Sequence, residues 1–123
     1  MAAVTTKNFD QPDETRSPDK TLAQVLNFGT VSATRLRLKS GWSWSGCIQP
    51  HVGGTSCQAG HVGTLMQGIL KVRMDDGSET MINPGQAYTI PPGHDAWVVG
   101  DEDVVMIEFN NAGKDYAVWQ ESK

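Results

Sequence analysis

The chain has 123 residues with a formal net charge of −4, and 38% of its residues are hydrophobic. This composition predicts one globular domain, and the acidic balance argues against nucleic-acid binding, which needs a clustered positive field. No apolar run approaches the roughly 20 residues of a membrane-spanning helix, and residues 1–20 lack the apolar core of a secretory signal, so we expect a cytoplasmic protein without a membrane role.

Residues 1–20 are polar and predict a flexible or edge-strand N-terminal arm, whereas residues 21–123 are expected to form the single domain. The 13 glycines and six prolines of the chain indicate many short strands joined by turns. Apolar residues within 22–28 fit either a short strand or one helical turn. Residues 31–38 alternate apolar and basic side chains, which is typical of a half-exposed strand.

The stretch 41–45, Gly-Trp-Ser-Trp-Ser, has a period of two and therefore also favours an extended segment. Residues 47–60 are rich in small and polar side chains and predict a loop or an irregular strand. Residues 62–74 form one long extended run with Gly68 in the middle. The Asp-Asp-Gly-Ser sequence at 75–78 then predicts a tight hairpin turn.

Four further short strands are predicted between turn sequences, at residues 79–82, 87–90, 96–99 and 104–109. The last two are expected to pair as a hairpin around residues 100–103, and the tail 114–120 alternates only weakly. Short strands at this spacing indicate an all-β, antiparallel architecture that is closed or made of two sheets.

The segment 85–93, Gly-Gln-Ala-Tyr-Thr-Ile-Pro-Pro-Gly, resembles the second motif of the cupin family, in which a strand lies between two glycine turns. Gly68 occupies the position of the final glycine of the first cupin motif, so the resemblance covers about residues 50–100. It implies an antiparallel double-stranded β-helix, or jelly-roll barrel. The chain is also similar to a subgroup of bacterial cupins that has no assigned reaction, and the family implies a homodimer, for which the polar arm offers an extra strand.

The cupin motifs usually supply a metal site, and mapping them onto this chain implies an altered one. His61 stands at the acidic position of the first motif, and Cys57 and Thr55 stand where two histidines are expected. Ala96 stands at the histidine position of the second motif, but His94 lies two residues earlier and so shares its strand face. A Cys57, His61 and His94 site suits one divalent transition metal, namely zinc, iron, nickel or copper, with an open position for reaction.

A second ligand set is present in the same stretch. Cys47, His51, Cys57 and His61 fall within fifteen residues and offer the four ligands of a tetrahedral structural zinc, although their spacing matches no common zinc finger. Two cysteines in a reducing compartment are expected to remain free thiols, with a disulfide between them as the alternative.

The alternation of strand side chains also predicts a ligand pocket. Leu65 and Gln67 share the parity of His61, so we expect both to line the barrel interior together with Thr55 and Ala96. The functions that fit are a metal-dependent protein of unknown reaction, favoured by the implied ligands, and a metal-free small-molecule or sensory barrel without catalysis. A third is a metal that only stabilises the fold. The partner expected in the first two is a small molecule.

Overall fold

The computed structural model describes residues 3–111, which are almost entirely β-strands and turns. The elements in chain order are β1 (Glu14–Arg16), β2 (Thr21–Asn27), β3 (Val31–Leu38), α1 (Trp44–Cys47), α2 (Gln49–Val52), β4 (His61–Gln67), β5 (Leu70–Met74), β6 (Glu79–Ile82), β7 (Ala87–Ile90), β8 (His94–Val98) and β9 (Val104–Asn111). Within this part of the chain, neither helix has the length or the apolar character needed to cross a membrane.

Two antiparallel sheets enclose the core. One has six strands in the order β1-β2-β3-β9-β4-β7, and the other has three in the order β6-β5-β8. Buried side chains alternate with exposed ones along most strands, so each sheet presents one apolar face to the other. Leu36 and Leu65 of the larger sheet join Leu70 and Val98 of the smaller one in a single buried cluster. The predicted all-β jelly roll is therefore confirmed.

Several strands and one turn lie where side-chain alternation and turn sequences predicted them. The strands predicted at 31–38, 79–82 and 87–90 have the same bounds in the structure, as β3, β6 and β7. The turn at 75–78 is also confirmed, because Gly77 has a φ of +91° and the Met74 amide N–H donates to the Ser78 carbonyl at 2.9 Å. The ambiguous residues near 22–28 form the strand β2.

The expectation of an extended segment at 41–45 is wrong, because a helix begins inside it. The Ser43 hydroxyl accepts a hydrogen bond from the Gly46 amide N–H at 3.0 Å and so caps the N-terminus of α1. Trp44 and Cys47 then face the core from this short helix. The predicted loop at 47–60 likewise begins with helical residues, since α2 follows immediately with a proline near its start.

The extended run 62–74 is present as two strands and not as one. Gly68, with a φ of +79°, turns the chain from β4 in one sheet to β5 in the other. One pairing expectation is wrong. The strands predicted at 96–99 and 104–109 do not form a hairpin, because β8 pairs with β5 while β9 lies between β3 and β4. The weak alternation at 114–120 lies outside the described residues.

The N-terminal segment contacts its own chain. Glu14–Arg16 pairs with β2 as the edge strand of the six-stranded sheet. Ahead of it, Asp10 accepts from the Arg35 guanidinium at 2.7 Å, which ties this segment to β3.

Candidate metal centre

Three segments bring Cys57, His61 and His94 together inside the fold. His61 and His94 are the first residues of β4 and β8, and Cys57 lies in the loop that precedes β4. The Cys57 amide N–H donates to the His94 carbonyl at 2.7 Å, and the His94 amide N–H donates back at 3.2 Å. The Cys57 thiol and one nitrogen of each imidazole all lie within 4.8 Å of one another, and the three residues are only 2–3% exposed.

The hydrogen bonds of the two imidazoles orient one nitrogen of each ring toward the cluster. His94 Nδ1–H donates to the Pro91 carbonyl at 2.8 Å, which leaves Nε2 as the nitrogen available for a ligand bond. His61 Nδ1–H donates to Glu108 Oε1 at 2.9 Å, while its Nε2 lies 3.8 Å from Cys57 Sγ. The two rings are 5.3 Å apart in an edge-on arrangement.

Glu108 and Tyr88 form a second layer behind His61, which sequence reasoning missed. The Tyr88 hydroxyl donates to Glu108 Oε2 at 2.6 Å, so both carboxylate oxygens are hydrogen-bonded in a buried position. Gly63 lies opposite both Glu108 in β9 and Tyr88 in β7. A Cβ on Gly63 would clash with the Ile107 carbonyl oxygen and would lie 3.0 Å from Glu108 Cγ. The absence of a side chain at residue 63 therefore allows the close approach of β9 to β4 that brings Glu108 to His61. The one sequence signal for Glu108 is a carboxylate at a core-facing position within the apolar residues 104–109 of β9.

The cluster carries charge in the metal-free protein. Burial works against the Cys57 thiolate, but His61 and His94 lower the pKa of this thiol from 9.0 to about 6. Burial also works against the His61 imidazolium, but Glu108 and Cys57 raise its pKa from 6.5 to about 10. Burial and the Glu108 carboxylate raise the pKa of Tyr88, so its hydroxyl remains a hydrogen-bond donor. At neutral pH the site thus holds the Cys57 thiolate and the His61 imidazolium.

The donor atoms fit a transition-metal ion. A thiolate sulfur and two imidazole nitrogens are soft or borderline ligands, which bind zinc, copper, iron or nickel rather than magnesium or calcium. The carboxylate behind His61 reproduces the carboxylate–histidine–metal arrangement that fixes the orientation of metal ligands in proteins. The metal would displace the proton from His61 Nε2 while Glu108 keeps the proton on Nδ1.

Of the four residues expected to line a pocket, two lie in the interior. Leu65 and Ala96 are buried in the same core cluster as Cys57. Thr55 is exposed. Gln67 is also exposed and its amide donates to the Asp103 carbonyl at 3.1 Å, because a β-bulge between residues 65 and 67 interrupts the alternation on which its expected position depended.

The alternative zinc ligands do not join the cluster. Cys47 is buried on α1 and His51 is exposed on α2. Among residues 3–111, the group of side chains close enough to share an ion consists of Cys57, His61 and His94. Cys47 and Cys57 are both buried and are not joined by a disulfide.

Comparison with known proteins identifies the fold but no close relative. No protein-family model and no curated protein matches the chain. KdgF from Halomonas sp. matches 93% of this chain and 97% of its own with a TM-score of 0.62 and 14% identity. A cupin domain from Bordetella pertussis Tohama I matches 80% of this chain and 99% of its own, with a TM-score of 0.53 and 19% identity.

A longer protein contains the same fold as a part of its chain. A mutant of Bacillus subtilis oxalate decarboxylase matches 93% of this chain over 32% of its own length, with a TM-score of 0.61 and 12% identity. Identities this low establish the fold alone. The shared fold agrees with the resemblance of residues 85–93 to a cupin motif. The chain therefore adopts the cupin fold.

Proposed function

We propose that this protein binds one transition-metal ion through Cys57, His61 and His94 in the interior of its cupin fold. The observation that carries the proposal is the convergence of the three buried donor atoms to within 4.8 Å of one another. A tetrahedral ion with bonds of about 2.0–2.3 Å holds its ligand atoms roughly 3.3–3.8 Å apart. The side chains therefore need only small rotations to share one ion.

Electrostatics supports the same conclusion. A thiolate and an imidazolium that are 2–3% exposed carry a large desolvation cost, which protein groups offset only in part. A divalent ion would pair with the Cys57 thiolate directly and would replace the imidazolium proton of His61. Metal binding therefore stabilises a set of groups that is costly to bury without it.

The bound ion would supply Lewis-acid or one-electron chemistry, and the chain's own residues define how it is held. Glu108 accepts the Nδ1 proton of His61 and so presents Nε2 to the ion. Tyr88 holds the other carboxylate oxygen and prevents Glu108 from rotating toward the ligands. Three protein ligands leave one coordination position for a small-molecule substrate or for a further side chain.

Elemental analysis of the freshly purified full chain tests this proposal. We expect about one transition-metal ion per chain in the parent and loss of that ion in Cys57→Ser and His61→Ala. Cys47→Ser and His51→Ala are matched controls, because they remove the same ligand types outside the cluster and should leave the metal content unchanged. A parent protein that holds no metal after reconstitution with zinc, cobalt or copper would refute the proposal.

A metal-free small-molecule barrel is the second candidate function, and one observation favours it. Among residues 3–111, the buried atoms Thr34 Oγ1 and Trp44 Nε1 have no hydrogen-bond partner within the protein. An unsatisfied buried polar group costs about 1–3 kcal/mol, so a small polar ligand that accepts a hydrogen bond from Trp44 Nε1 would stabilise the fold. A ligand that raises the melting temperature in the presence of chelator, but not in Trp44→Phe, would support this function. A panel of small polar molecules without such an effect would count against it.

We further propose that the cupin fold of this protein forms a homodimer, as the family resemblance implies. Val31, Phe109 and Val62 lie on the adjacent strands β3, β9 and β4 and are 45%, 55% and 38% exposed. A strip of this kind on one sheet face can pack against its own copy around a two-fold axis. Light scattering should show a dimer that Phe109→Ser weakens, whereas Met81→Ser on the other sheet should not. A monomeric parent would exclude the dimer.

A further inference from the structure

We propose that the metal is copper and that the thioether of Met74 is its fourth, weakly bound ligand. This inference rests on the proposed metal site and adds the identity of the ion and of one more ligand. The observations behind it are the arrangement of strands around His94, the packing of the partly buried Met74 against the core, and the chemistry of the combined donor set.

His94 lies between Cys57 and Met74. On one side it forms an antiparallel bridge with Cys57, and on the other it is the direct cross-strand partner of Met74 at the end of β5. Side chains at directly paired positions have Cβ atoms about 4.5–5.5 Å apart and lie on the same sheet face. Methionine is long and unbranched, so its sulfur can extend from this position to an ion bound by His94.

The side chain of Met74 lies on the core-facing side of its strand. It shares the parity of the buried residues Leu70 and Val72, and it packs against the buried cluster that contains Cys57. Met106 is buried, but its cross-strand partners are Leu36 and Leu65, and it pairs with none of the three proposed ligands. Met74 is therefore the thioether that the strand register places beside the site.

A second set of contacts holds the Cys57 loop against the end of β5. The Ser56 hydroxyl donates to Asp75 Oδ2 at 3.1 Å, which links the residue before Cys57 to the residue after Met74. The Asp75 amide N–H also donates to the carbonyl of Gly93, the residue before His94, at 2.9 Å. The loop, β5 and β8 are thus joined at the level of the proposed ligands, so the backbone positions of Cys57, Met74 and His94 are held together by the fold.

The combined donor set favours copper over the other candidate ions. One cysteine thiolate, two histidines and a distant axial thioether form the ligand set that proteins use for mononuclear copper in electron-transfer sites. Thiolate and thioether sulfur select Cu(I), and Cu(II) binds nitrogen and sulfur ligands more tightly than zinc does. The three proposed ligands are also 2–3% exposed, which differs from a catalytic zinc that keeps a water molecule.

Copper loading tests the identity of the ion. The metal-free full chain is loaded anaerobically with one equivalent of Cu(I) and then oxidised with ferricyanide, which accepts one electron from each ion. We expect an intense visible band from thiolate-to-Cu(II) charge transfer in the parent and its loss in Cys57→Ser. We expect Met74→Leu to keep the band and the one-to-one stoichiometry but to raise the midpoint potential, because the oxidised ion loses a donor. Met106→Leu is the matched control and should leave the potential unchanged.

The outcomes separate this inference from the proposed metal site. Binding of one zinc or cobalt ion, without a charge-transfer band after copper loading, would overturn the copper assignment and leave the metal site standing. A band whose potential is unchanged in Met74→Leu would overturn the assignment of Met74. Failure to bind any of the three ions would refute the metal site itself.

Discussion

Replacing Glu108 with glutamine in the metal-free protein removes the charge that stabilises the His61 imidazolium. Glu108 is 4% exposed, and it accepts hydrogen bonds from His61 at 2.9 Å and from Tyr88 at 2.6 Å. Glutamine has nearly the same volume, and its carbonyl oxygen can still accept from His61. The substitution therefore tests the electrostatic contribution of the carboxylate and leaves packing almost unchanged.

The size of the effect follows from the pKa of His61. Burial disfavours the charged ring, yet Glu108 and Cys57 raise its pKa from 6.5 to about 10. Since one pKa unit corresponds to about 1.4 kcal/mol, this rise represents about 5 kcal/mol of net stabilisation of the charged form. Glu108 is the larger of the two favourable causes. Its loss should cost about 3 kcal/mol, which agrees with the roughly 3–5 kcal/mol for breaking a buried ion pair.

The raised pKa of His61 determines how the loss of stability in Glu108→Gln changes with pH. A histidine with a raised pKa contributes its full stabilisation below pH 6.5 and loses it as the pH rises through about 10. The difference in free energy of unfolding between the parent and Glu108→Gln should therefore be largest below pH 6.5 and shrink toward pH 10. Cys57 is present in both proteins, so its own titration largely cancels in the difference.

Urea unfolding with chelator, at several pH values from 6 to 10, measures this difference. Glu79→Gln is the control, because Glu79 is exposed and its 2.9 Å ion pair with Lys71 should contribute under about 1 kcal/mol. A Glu108→Gln protein as stable as the parent at pH 6, or equally destabilised at every pH, would refute the electrostatic reasoning.

Three further predictions concern the same part of the fold. Gly63→Ala should lower stability by about 1–3 kcal/mol in thermal unfolding and weaken zinc binding, because the new Cβ would clash with the Ile107 carbonyl oxygen and displace Glu108, its neighbour on β9; an alanine variant with parent-like stability and binding would contradict this. Tyr88→Phe should cost about 1.5–3 kcal/mol in urea unfolding, since it removes a hydrogen bond to a charged group, and should weaken zinc affinity about 10–100-fold; unchanged affinity would exclude an orienting role. Zinc binding between pH 6.5 and 9.5 should release about one proton, from His61, because Cys57 is already ionised there. Calorimetry in buffers of different ionisation enthalpy measures that proton, and an enthalpy independent of the buffer would rule it out.

Side-chain alternation and turn sequences predicted strands and turns correctly where only one local structure fits the pattern. The prediction was wrong where the same pattern fits two structures. The alternation at 31–38 and the Asp-Gly turn at 75–78 each have one good solution, which the structure adopts. The alternation at 41–45 fits two local structures. Large buried side chains two residues apart occur in a strand, and they also fit a turn that leads into a helix. Ser43 decides between them by capping α1, and this depends on a single side-chain hydrogen bond.

The sequence predicted only those residues of the candidate site that lie at or next to positions of the cupin motifs. Cys57, His61 and His94 occupy or adjoin positions that the cupin motifs mark. Glu108 is 47 residues from His61 in the sequence, and the two meet because β4 pairs with β9. The sequence interpretation paired the β9 residues with those of β8 instead, which removed Glu108 from the neighbourhood of His61.

The register of the six-stranded sheet therefore determines the site as much as its ligands do. Glu108, Gly63 and Tyr88 lie opposite one another on three adjacent strands, with the glycine in the middle. A shift of β9 by one residue would turn the carboxylate to the outer face and place the side chain of an apolar neighbour, Ile107 or Phe109, toward the core. A register shift of β9 toward either end would break the hydrogen bond between Glu108 and His61. The sequence positions of the three proposed ligands would be unchanged. The orientation of His61 is thus coupled to correct pairing of β9, a strand that contributes none of the three proposed metal ligands.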